Sequence, residues 1–206
     1  NKKYNSNSFL SNLEASIIEY MEDIYSQNKL NKKDQLSLVI QDLSSGELLA
    51  SIRPRKIIKS ASTIKVPILH AYMLQRFKGR IKESPWHKKL IEEMIRYSRN
   101  SSTNSIIHLL GGTNNIQNIL YDTKVYKDLI LKQYFPVDGR AYLNKISARD
   151  LNQIFVNIWL RLILNSNSND QKNKEISQEM LFLLGLPGHS WLKDRIKDGT
   201  CFSSEK

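Results

Sequence analysis

The chain has a single cysteine, Cys201, so no internal disulfide framework staples its fold. No base motif accompanies Cys201, which therefore reads as a small, half-buried strand residue rather than a nucleophile. No stretch reaches the roughly 18 apolar residues that a membrane-spanning helix needs. The four histidines, His70, His87, His108 and His189, lack metal-ligand spacing, and neither a metal nor another cofactor is expected. Acidic residues are outnumbered: 20 Asp and Glu stand against 31 Lys and Arg, a formal charge of +11. Such a surplus can serve nucleic acid, but no basic run interleaved with aromatics occurs, and no nucleic-acid module. Nucleic acid is thus not an expected partner, whereas attraction to anionic cell-envelope polymers suits the scattered charge. The chain opens at Asn1 without an initiator Met, as a processed or trimmed mature chain would.

What is present fits one domain, in two lobes, since 206 residues can bury a substantial core. Leu36 to Leu43 reads as a strand, Ser44-Ser45-Gly46-Glu47 as a turn and Leu48 to Ile52 as a second strand. An apolar helix follows over Thr63 to Phe77. Phe9, Leu10, Leu13, Ile17, Met21 and Ile24 mark one face of an N-terminal helix. Leu151, Ile154, Phe155, Ile158, Leu162 and Ile163 mark another, capped by Ser147. Asn165 to Asn173 reads as a polar loop before a helix near Glu175 to Leu184. The expected class is α/β: residues 1–61 with 196–206 form the mixed lobe, and 62–195 a mostly helical one. The functional groups are expected at the junction of the lobes.

Four Ser-x-x-Lys matches occur: Ser26…Lys29, Ser62…Lys65, Ser190…Lys193 and Ser203…Lys206. A serine hydroxyl needs a neighbouring base to become a nucleophile. On a helix, residues three apart share a face, so Lys65 can reach the Ser62 hydroxyl. Burial lowers a lysine pKa towards the range of a useful base. Only the Ser62 copy opens a long apolar helix, whose first N–H groups and dipole favour a developing oxyanion. The plainer reading makes Ser62 a helix N-cap.

A second constellation lies in Met94 to Gly112, MIRYSRNSSTNSIIHLLGG. Ser98-Arg99-Asn100 is a Ser-x-Asn motif; Ser26-Gln27-Asn28 and Ser102-Thr103-Asn104 are rival matches. The stretch resembles the penicillin-recognising serine enzymes: class A β-lactamases, penicillin-binding proteins and D,D-peptidases. That family combines Ser-x-x-Lys, Ser-Asp-Asn or Ser-x-Asn, and a strand opening with Lys-Thr-Gly. Asn104 and Leu110-Gly111-Gly112 take their family places when Ser98 is the motif serine. Arg99 departs from the class A aspartate, setting a cation where many β-lactamases have an anion, which leans towards the peptidases. Lys206, after a strand-like Thr200 to Glu205, falls where the third motif would begin. The resemblance spans roughly Leu36 to Lys206.

The resemblance implies a β-lactamase/transpeptidase-like fold: an antiparallel sheet with flanking helices, completed by strands that follow the third motif. Either the chain is a fragment, or those strands come from elsewhere. It also implies roles. Ser62 would be the nucleophile, Lys65 its base and Ser98 a proton relay, while Asn100 and Lys206 would bind substrate. The Ser62 backbone N–H and one from the strand beyond Lys206 would form the oxyanion hole. Class A enzymes hydrolyse the acyl-enzyme with the glutamate of a Glu-x-x-Leu-Asn loop. Here Gly112 to Lys145 contains no glutamate, and Arg140-Ala141-Tyr142-Leu143-Asn144 has arginine, permanently protonated, in that slot. Asp138 reads as a solvated loop residue. The implied function is a penicillin-binding, D,D-peptidase-like acyl-serine enzyme acting on β-lactams or peptidoglycan-like peptides outside the cytoplasm. The alternatives are a β-lactamase with another deacylation route, or a non-catalytic penicillin-recognising or sensor domain.

Overall fold

A computed structural model describes residues 12–31, 36–136, 143–164 and 171–185. Helix α1 (Asn12–Ser26) precedes strands β1 (Leu38–Gln41) and β2 (Leu48–Ile52), and a short β3 (Ile58–Lys59) follows. A 3₁₀ turn over Ala61–Ile64 runs directly into α2 (Lys65–Phe77). Then come α3 (Pro85–Arg96), α4 (Asn100–Leu109), α5 (Thr113–Tyr121), β4 (Lys145–Ile146), α6 (Ala148–Leu164) and α7 (Gln171–Gly185). The second strand and its turn lie where the alternation predicts. The first is shorter than Leu36 to Leu43, with a register shift between Ile40 and Gln41. Asp42 shapes the turn by accepting from the backbone N–H and hydroxyl of Ser44. Those bonds, the hydroxyl's first, hold its carboxyl down at about 2.

The α2 helix organises the helical lobe. From Pro67 to Gln75 every residue is buried, the mark of an element surrounded on all sides rather than a surface amphipath. Helices α3 to α7 all pack on it. Its core partners include Met94, Ile106, Ile107, Ile116, Leu120, Ile154 and Ile158. Each such side chain contributes roughly 1.5–3 kcal/mol on burial. The β1–β2 hairpin is flanked by α6 on β1 and α1 on β2.

Helix starts follow ordinary capping chemistry. Ser84 accepts from the His87 N–H at 3.2 Å, with Pro85 at the first helical position of α3. Ser147 accepts from the Asp150 N–H at 3.1 Å, the cap expected for α6. Helix α4 ends in a Schellman motif. Gly111, at φ 81°, donates to His108 O, and Gly112 donates to Ile107 O. This is the structural use of the Leu110-Gly111-Gly112 signature.

Two differences from the sequence reading concern α7 and the small strands. Helix α7 already begins at Gln171, inside the stretch read as a polar loop, because its apolar face packs on α2, α3 and α6. Strands β3 and β4 pair Ile58 with Ile146 and Lys59 with Lys145; at two residues each they are too short for a periodic signal. Phe9, Leu10, Asp138, Arg140, His189, Cys201 and Lys206 lie outside the described residues.

Candidate active site

Ser62 sits in the second position of the 3₁₀ turn, one residue after Ala61, which has φ 44°. Alanine in that left-handed region is strained by roughly 1–2 kcal/mol and persists only where surroundings impose it. The hydroxyl of Ser62 makes no capping bond to either the turn or α2, so the plain N-cap reading does not hold. Its backbone N–H belongs to the first turn, where intrahelical acceptors are lacking.

Lys65, the first residue of α2, is only 2% exposed. Its ammonium meets four oxygens: Ser62 Oγ at 3.3 Å, Ser98 Oγ at 2.8 Å, Ser98 O at 2.5 Å and Asn100 Oδ1 at 3.1 Å. All four are uncharged, and no carboxylate among the described residues pairs with Lys65. Burial without a counter-charge pushes its pKa down from 10.5 to about 8. An ammonium has three donors for these contacts; the neutral amine has two and a lone pair. In the neutral form the Ser62 contact can therefore reverse, with the hydroxyl donating to Nζ.

Ser98 completes the triangle. It follows the end of α3 at φ 52°, a left-handed conformation that turns both its carbonyl and its hydroxyl towards Lys65. Its hydroxyl also donates to Ser62 Oγ at 2.9 Å. Asn100 is the first residue of α4, so its amide is carried on a rigid element beside the two serines. Ser62, Lys65, Ser98 and Asn100 thus come together from the start of α2 and the α3–α4 junction. The rival Ser102 instead bonds Glu93 Oε2 at 2.6 Å. Arg99 does not present a bare cation. Its guanidinium pairs with Glu93 at 3.1 Å and lies 5.8 Å from the Tyr97 ring.

Sequence reasoning missed the frame beneath this cluster. Asn144 is fully buried, and its carbonyl accepts from both the N–H and the hydroxyl of Ser60 at 3.0 Å. Its side chain accepts from the Lys132 and Gln133 N–H groups and donates to Gln133 O. Asn104, on α4, clamps Phe135 from both sides, accepting from its N–H and donating to its carbonyl, each at 2.8 Å. The segment from 130 to 135 is thereby fastened to the Ser60–Ser62 turn at one end and to α4 at the other. Asn104 and the Leu-Asn pair in Leu143-Asn144 were its visible traces. Asn144→Ala leaves three backbone groups without partners and is expected to cost about 3 kcal/mol. Urea denaturation measures this; a loss under about 1 kcal/mol would mean that water satisfies the segment.

A cleft of about 490 Å³ bordered by Tyr72, Glu83, Ile91, Glu179 and Leu183 contains none of the motif residues. Among the described residues no helix is long and apolar enough to cross a membrane.

Comparison with known proteins bears on the fold and the family. No curated protein sequence matches the chain. Solved structures do, including a class A β-lactamase from Mycobacterium abscessus at 16% identity and TM-score 0.52, covering 78% of this chain and 68% of that one. An ancestral class A β-lactamase gives 16% identity and TM-score 0.52, covering 79% and 69%. A β-lactamase from Chitinophaga pinensis gives 15% identity and TM-score 0.60, covering 80% and 68%. At such identity the likeness establishes the fold, which is β-lactamase-like. A family model, described as the β-lactamase enzyme family, matches residues 17–85 and 84–184, which include both the Ser62–Lys65 pair and the Ser98–Asn100 motif. With the fold and most of the sequence in agreement, the chain belongs to the β-lactamase enzyme family.

Proposed function

We propose that this protein is an acyl-serine enzyme, penicillin-binding and D,D-peptidase-like, that attacks amide or β-lactam carbonyls. The observation that carries the reading is the convergence of Lys65 Nζ on the hydroxyls of Ser62 and Ser98, at 3.3 and 2.8 Å. Ser62 Oγ attacks the carbonyl carbon while neutral Lys65 takes its proton. The proton then passes through Ser98 Oγ to the departing nitrogen. The carbon–nitrogen bond breaks, and an ester remains on Ser62. Asn100, whose Oδ1 is engaged by Lys65, directs its amide N–H groups to the acyl-amide side chain of the substrate. Lys206 is assigned to the substrate carboxylate, and the Ser62 N–H to one half of the oxyanion hole. The substrate classes are β-lactams and peptidoglycan-like peptides, met outside the cytoplasm by a single domain of two lobes.

The missing glutamate between Gly112 and Lys145 favours the peptidase over the hydrolase. A second reading, a β-lactamase with another deacylation route, is supported by solved structures that carry that name. The test common to both is to incubate the full-length protein with a labelled penicillin and map the modified peptide by mass spectrometry. Label on Ser62 is expected. Label on another serine, or none on folded protein, would overturn the catalytic reading in favour of a non-catalytic domain.

A further inference from the structure

The segment that approaches the Ser62–Lys65 pair from the loop side ends in a phenylalanine. The Phe135 ring lies 4.8 Å from Lys65 Nζ, and Phe135 is 5% exposed. Its backbone is fixed at both N–H and carbonyl by Asn104. Two residues earlier, Gln133 is fixed at both groups by Asn144. Leu131, earlier still, donates to Gln117 Oε1 at 2.9 Å. Three side chains, on α4, on α5 and just before β4, therefore hold one short irregular segment so that its aromatic residue meets the lysine. Such heavy pinning of an irregular strip beside reactive groups is a means of placing a side chain.

We infer that Phe135 is a positioning residue that keeps the Lys65 amine dry and denies the Ser62 ester a hydrolytic water. This rests on the acyl-serine reading above. A ring face attracts an ammonium, which by itself would favour the charged lysine. Burial acts the other way and lowers the lysine pKa from 10.5 to about 8. The same apolar surface bears on deacylation. There a water must attack the ester carbonyl and give a proton to a base as the ester bond breaks and the Ser62 oxygen is released. The Phe135 ring occupies the space beside Lys65 and carries no acceptor for that water's proton. Arg140 matches the deacylating slot by spacing alone, whereas Phe135, five residues earlier, contacts Lys65.

The experiment follows penicillin acylation of Ser62 across pH, together with the lifetime of the resulting ester, in the native full chain and in Phe135→Gln and Phe135→Leu. The native acylation rate is expected to rise with pH to a midpoint near 8. Phe135→Gln, polar and similar in length, admits water. It is expected to move the midpoint up by about one pH unit and shorten the ester lifetime about tenfold. Phe135→Leu keeps an apolar cover and is expected to leave both within about twofold, a contrast that a mere packing role would not produce. Phe135→Ala carries the same expectation as the glutamine variant should the latter not fold. A native midpoint near 10, or unchanged midpoint and lifetime in the polar variant, would overturn this inference alone. Absence of any acylation of native Ser62 would overturn the acyl-serine reading and this inference with it.

Discussion

Lys65→Ala is expected to slow acylation of Ser62 by about 10²-fold or more, because it removes the group that takes the serine proton. The same protein should remain folded. In the native chain, Lys65 is a cation with no carboxylate partner among the described residues, and burial lowers its pKa to about 8. The unfolded chain, with an ordinary lysine, binds more protons than the native one between about pH 8 and 10.5. Stability attributable to this group therefore rises with pH across that window. Below it, the native state bears the full penalty, roughly 3 kcal/mol at about 1.4 kcal/mol per unit. Replacing the lysine removes the penalty along with four hydrogen bonds, so activity and stability are expected to part company. Stopped-flow acylation with a chromogenic β-lactam measures the first, and thermal unfolding followed by circular dichroism the second. The native acylation rate should climb about tenfold per unit of pH well below 8 and level off above it. Acylation of Lys65→Ala within a few-fold of the native rate would show that another group takes the proton.

A penicilloyl ester on Ser62 is expected to outlast a β-lactamase acyl-enzyme by a factor of about 10²–10⁴, the usual contribution of a general base. Gly112 to Lys145 holds no glutamate. Among the described residues, two buried or half-buried carboxylates are engaged elsewhere. Glu93 holds Arg99 and Ser102, and Asp150 accepts from the N–H groups of Lys127 and Asp128. Burial raises the Asp150 pKa, but that side chain, in the first turn of α6, bonds the 127–128 backbone rather than Ser62. The hydroxyls and amide around the nucleophile, from Ser98 and Asn100, are poor bases. The measurement is the decay of the labelled protein after excess penicillin is removed, followed by intact mass. Rapid multiple turnover by the unmodified enzyme would displace the peptidase reading and promote the β-lactamase one. Arg140→Glu should speed decay if the loop can bring a carboxylate to the ester.

The legible parts of this protein were those governed by short-range rules. Residues three apart on a helix share a face, so Ser62 and Lys65 announce their contact in the sequence, and they meet at 3.3 Å. Strand alternation fixes Leu48–Ile52, and a hydroxyl before an apolar run locates the Ser147 cap of α6. The Asn104 and double-glycine signature picked Ser98 over Ser102, and the glycines prove to be the Schellman end of α4.

What tertiary structure decided involves partners far apart along the chain. That Glu93 neutralises Arg99, that Asn104 grips Phe135, and that Asn144 holds Ser60 all depend on which helix packs where. None of these pairs has a period or a spacing that marks it. Helix α7 begins amid asparagines and serines because burial against α2 and α6 outweighs weak local propensity. The low pKa of Lys65 has the same origin. A lysine is an ordinary cation by sequence, and its pKa falls to about 8 only once the packing around α2 buries its amine.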